Sequence, residues 1–359
     1  MTIQGVRTRP VIVPLARPLV TAGGTVAAVP LVLTDLETSE GVTGLSYVFC
    51  YTPIALKATA LMVEGAAELV RGDPVAPFLI DEKLEKHFRL FGVQGVTRLA
   101  LAAIDIAVWD ALAKIRGVPL VRLLGGEPRA VRAYNSCGLG IIGPERAAAE
   151  AVDLLEPDFK ALKIRLGYQD AANDVEVVRA VRAAVGASVT LMTDYNQSLS
   201  VAEAQRRVRL LDDEQLHWIE EPVRAPDFSG HALVARDAST PIQLGENWWS
   251  TLEMSRSIAA AASDLVMPDV GKIGGVTGWL RAAGLAEAPG LPLSSHLYPE
   301  ISAHLLAVTP TCDWLEFVDW AAPILAEPCG VRDSAVTATE APGIGMAWNE
   351  KAVERFLAH

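Results

Sequence analysis

Asp194, Glu220, Glu246, Asp269 and His296 each stand at the end of a short apolar run, and they follow one another at intervals of 26, 26, 23 and 27 residues. The runs end as Leu-Met-Thr-Asp194, His-Trp-Ile-Glu220, Gln-Leu-Gly-Glu246, Val-Met-Pro-Asp269 and Leu-Ser-Ser-His296. An interval of that length accommodates one strand and one crossover helix, so the pattern calls for parallel strands joined by helices. Candidate strands fall at 132–136, 160–165, 188–194, 216–220, 241–246, 264–269, 291–296 and 314–317, and helical runs at 144–156, 170–185, 200–213, 251–262 and 276–287. Seven or eight strands in series point to a closed barrel rather than an open sheet. In a parallel barrel the C-terminal strand ends meet at one mouth, where five ionisable groups would converge.

Three carboxylates gathered at one place repel each other and are costly to desolvate. A hard divalent cation relieves both problems. Oxygen ligands without cysteine favour Mg²⁺, with Mn²⁺ in substitution. Asp194, Glu220 and Glu246 are adjacent in strand order and are assigned to the metal. Taken singly, each acid could equally be solvated or cap the next helix. Asp269 and His296 lie on neighbouring strands; a carboxylate that holds an imidazole N–H raises its basicity and fixes its tautomer. They read as a dyad with His296 as general base. Lys163 and Arg165 are two apart on one strand and face the same way. Two cations pointing into a barrel need anionic partners, either substrate and metal carboxylates or structural salt bridges. Lys272 is a further cation for Asp269 or the metal carboxylates. Glu316 ends the last strand; apolar surroundings would raise its pKa and let the protonated acid donate to an enolate oxygen.

The first part of the chain reads as an α+β unit. Strand-like alternation covers 2–15 and 29–48, with a hairpin turn at Ser39-Glu40-Gly41, and helical periods follow near 54–72, 81–91 and 95–116. The last has apolar residues on more than one face over 102–112, as a buried helix does. The net charge of −12 argues against nucleic acid, but a cation and a few Lys or Arg can invert the field at one site. No apolar run approaches the roughly 18 residues that span a bilayer, and Met1–Pro10 has no signal-peptide core, so a soluble cytoplasmic protein with no membrane partner is expected. The four cysteines form no Cys-x-x-Cys pair and read as free thiols.

These residues resemble the enolase superfamily, and within it the mandelate-racemase branch, over essentially the whole chain. The resemblance is carried by Asp194-Tyr-Asn196-Gln, Trp218-Ile-Glu220-Glu-Pro, Gly245-Glu246-Asn-Trp, Met267-Pro-Asp269, Lys272-Ile-Gly-Gly-Val-Thr-Gly-Trp279, Ser294-Ser-His296-Leu, Ile301-Ser-Ala-His-Leu-Leu-Ala and Trp314-Leu-Glu316. It implies a (β/α)7β modified TIM barrel over 129–319. It also implies an α+β capping domain over 1–128, onto which residues 320–359 fold back. It implies Mg²⁺ held by Asp194, Glu220 and Glu246. His296, oriented by Asp269, would handle the proton on one face of the substrate, and Glu316 would act as acid at the substrate carboxylate. Asn196 and Lys272 would sit near the metal and the developing charge, and Ser136 would help bind the carboxylate. The resemblance further implies a homo-oligomer, commonly an octamer.

One departure matters. The branch has Lys-x-Lys where this chain has Lys163-x-Arg165, and the second lysine is the base for the other face. Arginine stays protonated at ordinary pH. The chain is then either a two-base racemase, with Arg165 acting directly or Lys163 shifted into its place, or a one-base enzyme. In the second case His296 alone takes the α-proton and returns it to the 3-hydroxyl of an acid sugar in dehydration. In the capping domain, Val20, Val26 and Phe49, with Leu297 and Val318 of the barrel, give an apolar pocket whose main polar handle is Tyr51, with Arg17 added if it turns inward. Such a pocket suits a mandelate-like 2-hydroxy acid better than a polyhydroxylated one, whose unpaired hydroxyls are costly to bury, so racemisation of such an acid is the expected activity and acid-sugar dehydration the alternative. The small carboxylate is the expected partner. A barrel that binds metal and carboxylate without turnover is the reading from another class. The segment 17–30, with Gly23-Gly24, reads as a flap over the site or as an ordinary turn.

Overall fold

The computed structural model describes residues 1–156 and 158–358; Pro157 and His359 lie outside it. The chain opens with β1 (Ile3–Thr21), β2 (Gly24–Thr38) and β3 (Thr43–Phe49), an antiparallel sheet in that order. Pro10, Pro14 and Pro18 all fall on β1, an edge strand, where a missing N–H costs no ladder bond. Helices α1 (Pro53–Leu69), α2 (Pro77–Phe88) and α3 (Val96–Arg116) pack behind this sheet, and α4 (Leu120–Leu123) leads away. Residues 17–30 form no free loop: Leu19 pairs with Val26 and Thr21 with Gly24, so the expected flap is the tip of a two-stranded ribbon. Ile141 N–H donates to Val20 O at 2.7 Å, pinning that tip to the loop after the first barrel strand.

The barrel follows as β4 (Ala130–Asn135), α5 (Pro144–Leu154), β5 (Ala161–Arg165), α6 (Ala171–Val185), β6 (Thr190–Asp194), α7 (Val201–Leu211), β7 (Ile219–Glu220), α8 (Phe228–Asp237), β8 (Ile242–Leu244), α9 (Thr251–Ala259), β9 (Leu265–Val266), α10 (Val270–Ile273), α11 (Gly275–Glu287), α12 (Pro299–Ala307) and β10 (Leu315–Phe317). Neighbouring strands from β4 to β9 pair in parallel. The expected strand 291–296 is reduced to bridges, Leu293 to Val266 and to Cys312, and His296 to Asp269. β10 then pairs in parallel with β4 and closes the barrel. Short strands suffice because the ladder is completed by single bonds such as Ser295 N–H to Trp314 O, 2.9 Å.

The C-terminal tail ties the two units together. β11 (Ala335–Thr337) adds antiparallel to β4, and Leu357, just past α13 (Glu350–Phe356), bridges to Val11 of β1. Trp348 donates to Asp35 Oδ1 at 2.7 Å, and Arg9 joins Asp35 and Glu350. Helix α3 is buried on nearly every face, as its sequence indicated. Its Asp110 accepts from Leu45 N of β3 and Ile344 N of the tail, each at 2.7 Å. Its Asp105 accepts from Thr277 N in the first turn of α11; burial pushes this carboxyl up to about 7, with Thr277 opposing. No helix among the described residues is long and apolar enough to cross a membrane.

Two stability outcomes follow. A Cβ on Gly44 would fall on the Ala107 carbonyl and lie 2.9 Å from Ala111 Cβ, because β3 and α3 approach closely there. Gly44→Ala should lower the urea midpoint by the equivalent of about 1–3 kcal/mol; an unchanged midpoint would refute the close approach. Buried His304 accepts from Val121 N through Nδ1 and donates to Ile344 O through Nε2, both at 3.2 Å. Burial pushes its pKa down to about 4, with the Ile344 contact opposing. Its contribution is therefore present above the unfolded-state value near 6.5 and lost as pH falls toward 4, up to about 3 kcal/mol. Urea midpoints should drop between pH 7 and 4.5, and less steeply in His304→Gln.

Candidate active site

Asp194 and Glu220 are the last residues of β6 and β7 and stand opposite one another in the ladder. Glu246 lies two residues past β8, after Gly245, whose φ of 140° and lack of room for a Cβ (2.8 Å from Met267 backbone) only glycine accepts. One oxygen from each of the three carboxylates lies within 4.8 Å of the others. Below them Tyr134, Ala161, Met192, Trp218, Leu265 and Trp314 cluster inside the barrel. Burial and mutual repulsion push the Asp194 and Glu220 carboxyls up, against the pull of Lys163. Lys163 Nζ lies 3.0 Å from Glu220 Oε2, 2.7 Å from Glu316 Oε1 and 3.8 Å from Asp194 Oδ2. Burial alone would depress this ammonium, but Glu220, Glu316 and Asp194 together raise it. Asn196 donates N–H and Nδ2 to Asp194 at 2.7 and 2.8 Å, while its Oδ1 is buried without a partner. Crowded carboxylate oxygens with a spare amide oxygen beside them fit a hard divalent cation.

Asp269 lies beyond β9 and caps α10, accepting from Lys272 N at 3.0 Å through Oδ1. The helix-cap alternative for a strand-end acid is thus met here, and the same carboxylate also holds the histidine: Asp269 Oδ2 is 2.6 Å from His296 Nδ1. That bond places a proton on Nδ1; Nε2 points into the site and lies 3.2 Å from Glu246 Oε2, to which it donates when the imidazole is protonated. Burial opposes the imidazolium, but Glu246 and Asp269 outweigh it and raise the His296 pKa. Leu297 and Tyr298, next in sequence, both have φ of 52°, a strained pair that aims Leu297 N–H at Glu316 Oε2, 2.9 Å away.

On β5, Lys163 and Arg165 point to the same side and are both buried. Arg165 Nη1 donates to Gly138 O at 2.9 Å and Ser136 O at 3.2 Å, and Nη2 donates to Ser136 Oγ at 2.7 Å. Ser136 Oγ in turn donates to Glu316 Oε1 at 2.7 Å. The structure corrects one expectation here. Glu316 does not sit in apolar surroundings: burial would raise its carboxyl, but Lys163, His296 and Arg165 hold it well below the usual carboxylate range. On β5, Arg165 directs its terminal nitrogens at carbonyls and Ser136, and Lys163 sits among three carboxylates.

The expected substrate contacts distribute unevenly. Lys272 Nζ donates to Asn247 Oδ1 at 2.6 Å and lies 3.8 Å from the Tyr51 ring centroid. Tyr51 is not a free polar handle: its hydroxyl donates to Asp269 Oδ2 at 3.0 Å. Arg17 turns outward, toward Asp153. Val26 is half-buried on the hairpin, and Leu297 is buried. Sequence reasoning passed over Glu221 and Asn247. Glu221 is a further buried carboxylate of the site, with φ of 38°, pushed up by burial and by Glu246. Asn247 Nδ2 reaches both Glu221 Oε2 and Glu246 Oε1, at 2.8 and 2.9 Å. Their signal was adjacency to Glu220 and Glu246.

Residues 3–125 match the mandelate racemase / muconate lactonizing enzyme N-terminal domain, and residues 146–352 match the enolase C-terminal domain-like family. The chain belongs to the mandelate racemase/muconate lactonizing enzyme family. It is similar to a Bradyrhizobium enolase crystallised with magnesium and mandelic acid, at 44% identity and TM-score 0.96, over 100% of this chain and 99% of that one. Among characterised relatives, it is 32% identical to an L-talarate/galactarate dehydratase of Salmonella typhimurium, over 90% of this chain and 82% of that one. It is also 32% identical to a 3,6-anhydro-alpha-L-galactonate cycloisomerase of Streptomyces coelicolor, over 96% of each.

As a member of this family the protein is an enzyme of Mg²⁺-dependent enolase-superfamily chemistry, and the buried carboxylate triad suits that cofactor. Mg²⁺ should raise the thermal midpoint of the wild type, by an amount corresponding to about 2.7 kcal/mol at a hundredfold excess over Kd. Glu220→Gln should lose that response; if it kept the full response, Glu220 would not be a ligand.

Proposed function

We propose that this enzyme is a one-base dehydratase of a 2,3-dihydroxy carboxylate, with His296 as the single proton-transfer group. The observation that supports it most is the state of the opposite face. Arg165 is fixed on Gly138 and Ser136 through its terminal nitrogens, and Lys163 lies among Glu220, Glu316 and Asp194. A guanidinium in the place of the usual second lysine is a poor base, whereas a neutral imidazole at His296 can take a proton through Nε2.

In this reading Asp194, Glu220 and Glu246 hold Mg²⁺, which supplies Lewis acidity toward the substrate carboxylate. His296 Nε2 takes the proton from C2, and Asp269 keeps the imidazole in position and balances its charge. Lys163 and Lys272 supply fixed positive charge toward the developing enolate. Ser136 and Asn196 orient the substrate by hydrogen bonds. Glu316, held ionised, positions Lys163, Ser136 and Leu297 N–H rather than donating a proton. The imidazolium then returns its proton to the C3 hydroxyl, the C3–O bond breaks, and water leaves. The enol product tautomerises to a 2-keto-3-deoxy acid, and atoms and charges balance. The dehydratase relative is in line with this chemistry.

A second reading, racemisation of a mandelate-like 2-hydroxy acid, is favoured by the mandelic acid held by the Bradyrhizobium structure and by the apolar Val20, Val26, Phe49, Leu297 and Val318. Proton NMR in D₂O with Mg²⁺ separates the two. Each mandelate enantiomer is followed alone, and a panel of aldonic and aldaric acids is assayed for 2-keto product. The one-base reading expects α-proton exchange in a single mandelate enantiomer with retained configuration, a 2-keto-3-deoxy acid from the panel, and loss of both on the order of 10²–10⁴-fold in His296→Asn. Interconversion of the two mandelate enantiomers would overturn it in favour of the racemase.

A further inference from the structure

The capping sheet reaches into the proton-transfer machinery at one point. β3 ends at Phe49, and two residues later Tyr51 takes a left-handed backbone, φ 59°, strained for a side chain of this size. That turn lays the Tyr51 ring against Phe49, centroids 4.3 Å apart, and above Lys272 Nζ at 3.8 Å. It also brings the hydroxyl to Asp269 Oδ2 at 3.0 Å, the same oxygen that receives His296 Nδ1–H at 2.6 Å. A second strut runs beside it: Phe49 N–H donates to the hydroxyl of Tyr298, two residues after His296, at 2.9 Å. The two contacts fasten the end of β3 to Asp269 and to Tyr298, two residues past His296.

We propose that Tyr51 is a positioning residue for the reaction. Its hydroxyl shares Asp269 Oδ2 with the imidazole, so docking of the capping loop and orientation of the base are one event. Asp269 has one oxygen committed to Lys272 N, and without Tyr51 the other would be held by His296 alone. A carboxylate held at both oxygens by groups from three segments has little freedom to rotate, and the imidazole it carries is aimed accordingly. The Tyr51 ring, 38% exposed at the rim, shields Lys272 on the same side. The inference rests on His296 acting as the base, but its first test uses no substrate.

Tyr51→Phe keeps the ring contacts and removes only the hydroxyl. The short His296 Nδ1–H bond should give a proton resonance downfield of the amide envelope in the Mg²⁺-loaded wild type, assigned by its disappearance in His296→Gln. In Tyr51→Phe that resonance should shift or broaden while the thermal midpoint stays near wild type. With whichever acid the NMR panel shows to be processed, kcat should fall on the order of tenfold, as for loss of one positioning hydrogen bond, with KM unchanged. An unmoved resonance overturns the proposal, and a rise in KM with an unmoved resonance assigns Tyr51 to substrate contact instead. A shifted resonance in a protein that processes none of the acids would sink the proposed function and leave this positioning role standing. Should Tyr51→Phe be unstable, Tyr298→Phe, which removes the neighbouring strut but not the Asp269 contact, should leave the resonance in place; its displacement there would also overturn the assignment to Tyr51.

Discussion

Repulsion among Asp194, Glu220 and Glu246 organises this molecule. Their oxygens are within 4.8 Å of one another inside a protein, an arrangement that like charges resist unless positive charge is supplied. The chain supplies part of it through Lys163, buried and bound to Glu220 and Glu316. Lys272 adds a second cation through Asn247, whose amide bonds Glu221 and Glu246. A divalent cation would supply further positive charge beside the three carboxylates, in line with the Mg²⁺ dependence of the family.

The same charges separate the two faces of the reaction. On one side Asp269 accepts the Nδ1–H of His296 and directs Nε2 into the site. On the other side Ser136, Gly138 and Glu316 absorb the cations of β5. An arginine in this place can bond carbonyls with its planar fork in a way a lysine cannot. In the proposed chemistry the second face serves as a wall of donors, and the sidedness of that chemistry rests on this difference.

Much of this was legible in the sequence. The near-constant spacing of Asp194, Glu220, Glu246, Asp269 and His296 carried the barrel, because one strand and one helix consume a nearly fixed number of residues. The buried character of α3 was written in its apolar residues on several faces. Other features were not legible. Strand 291–296 reads as well as its neighbours yet survives as bridges, because pairing there depends on the closure geometry of the barrel. The segment 17–30 looked like a loop for its Gly-Gly pair, but Leu19 and Val26 pair across it. Glu316 ends an apolar run, and only the structure surrounds it with Lys163, His296 and Arg165.

Periodicity and residue type, which are local properties, were enough to determine the fold class, the donor chemistry of the metal site and the pairing of Asp269 with His296. Hydrogen-bond partners across distant segments were decided by tertiary structure alone. Tyr51 and Asp269 are 218 positions apart, and Ser136 and Glu316 are 180 apart. No spacing rule links such residues, because their distance is set by how the cap docks and how the last strand closes on the first. Whether a buried carboxyl is ionised or a lysine can act as a base depends on those long-range neighbours, since at these distances Coulomb energy in a low-dielectric interior outweighs what the residue brings on its own.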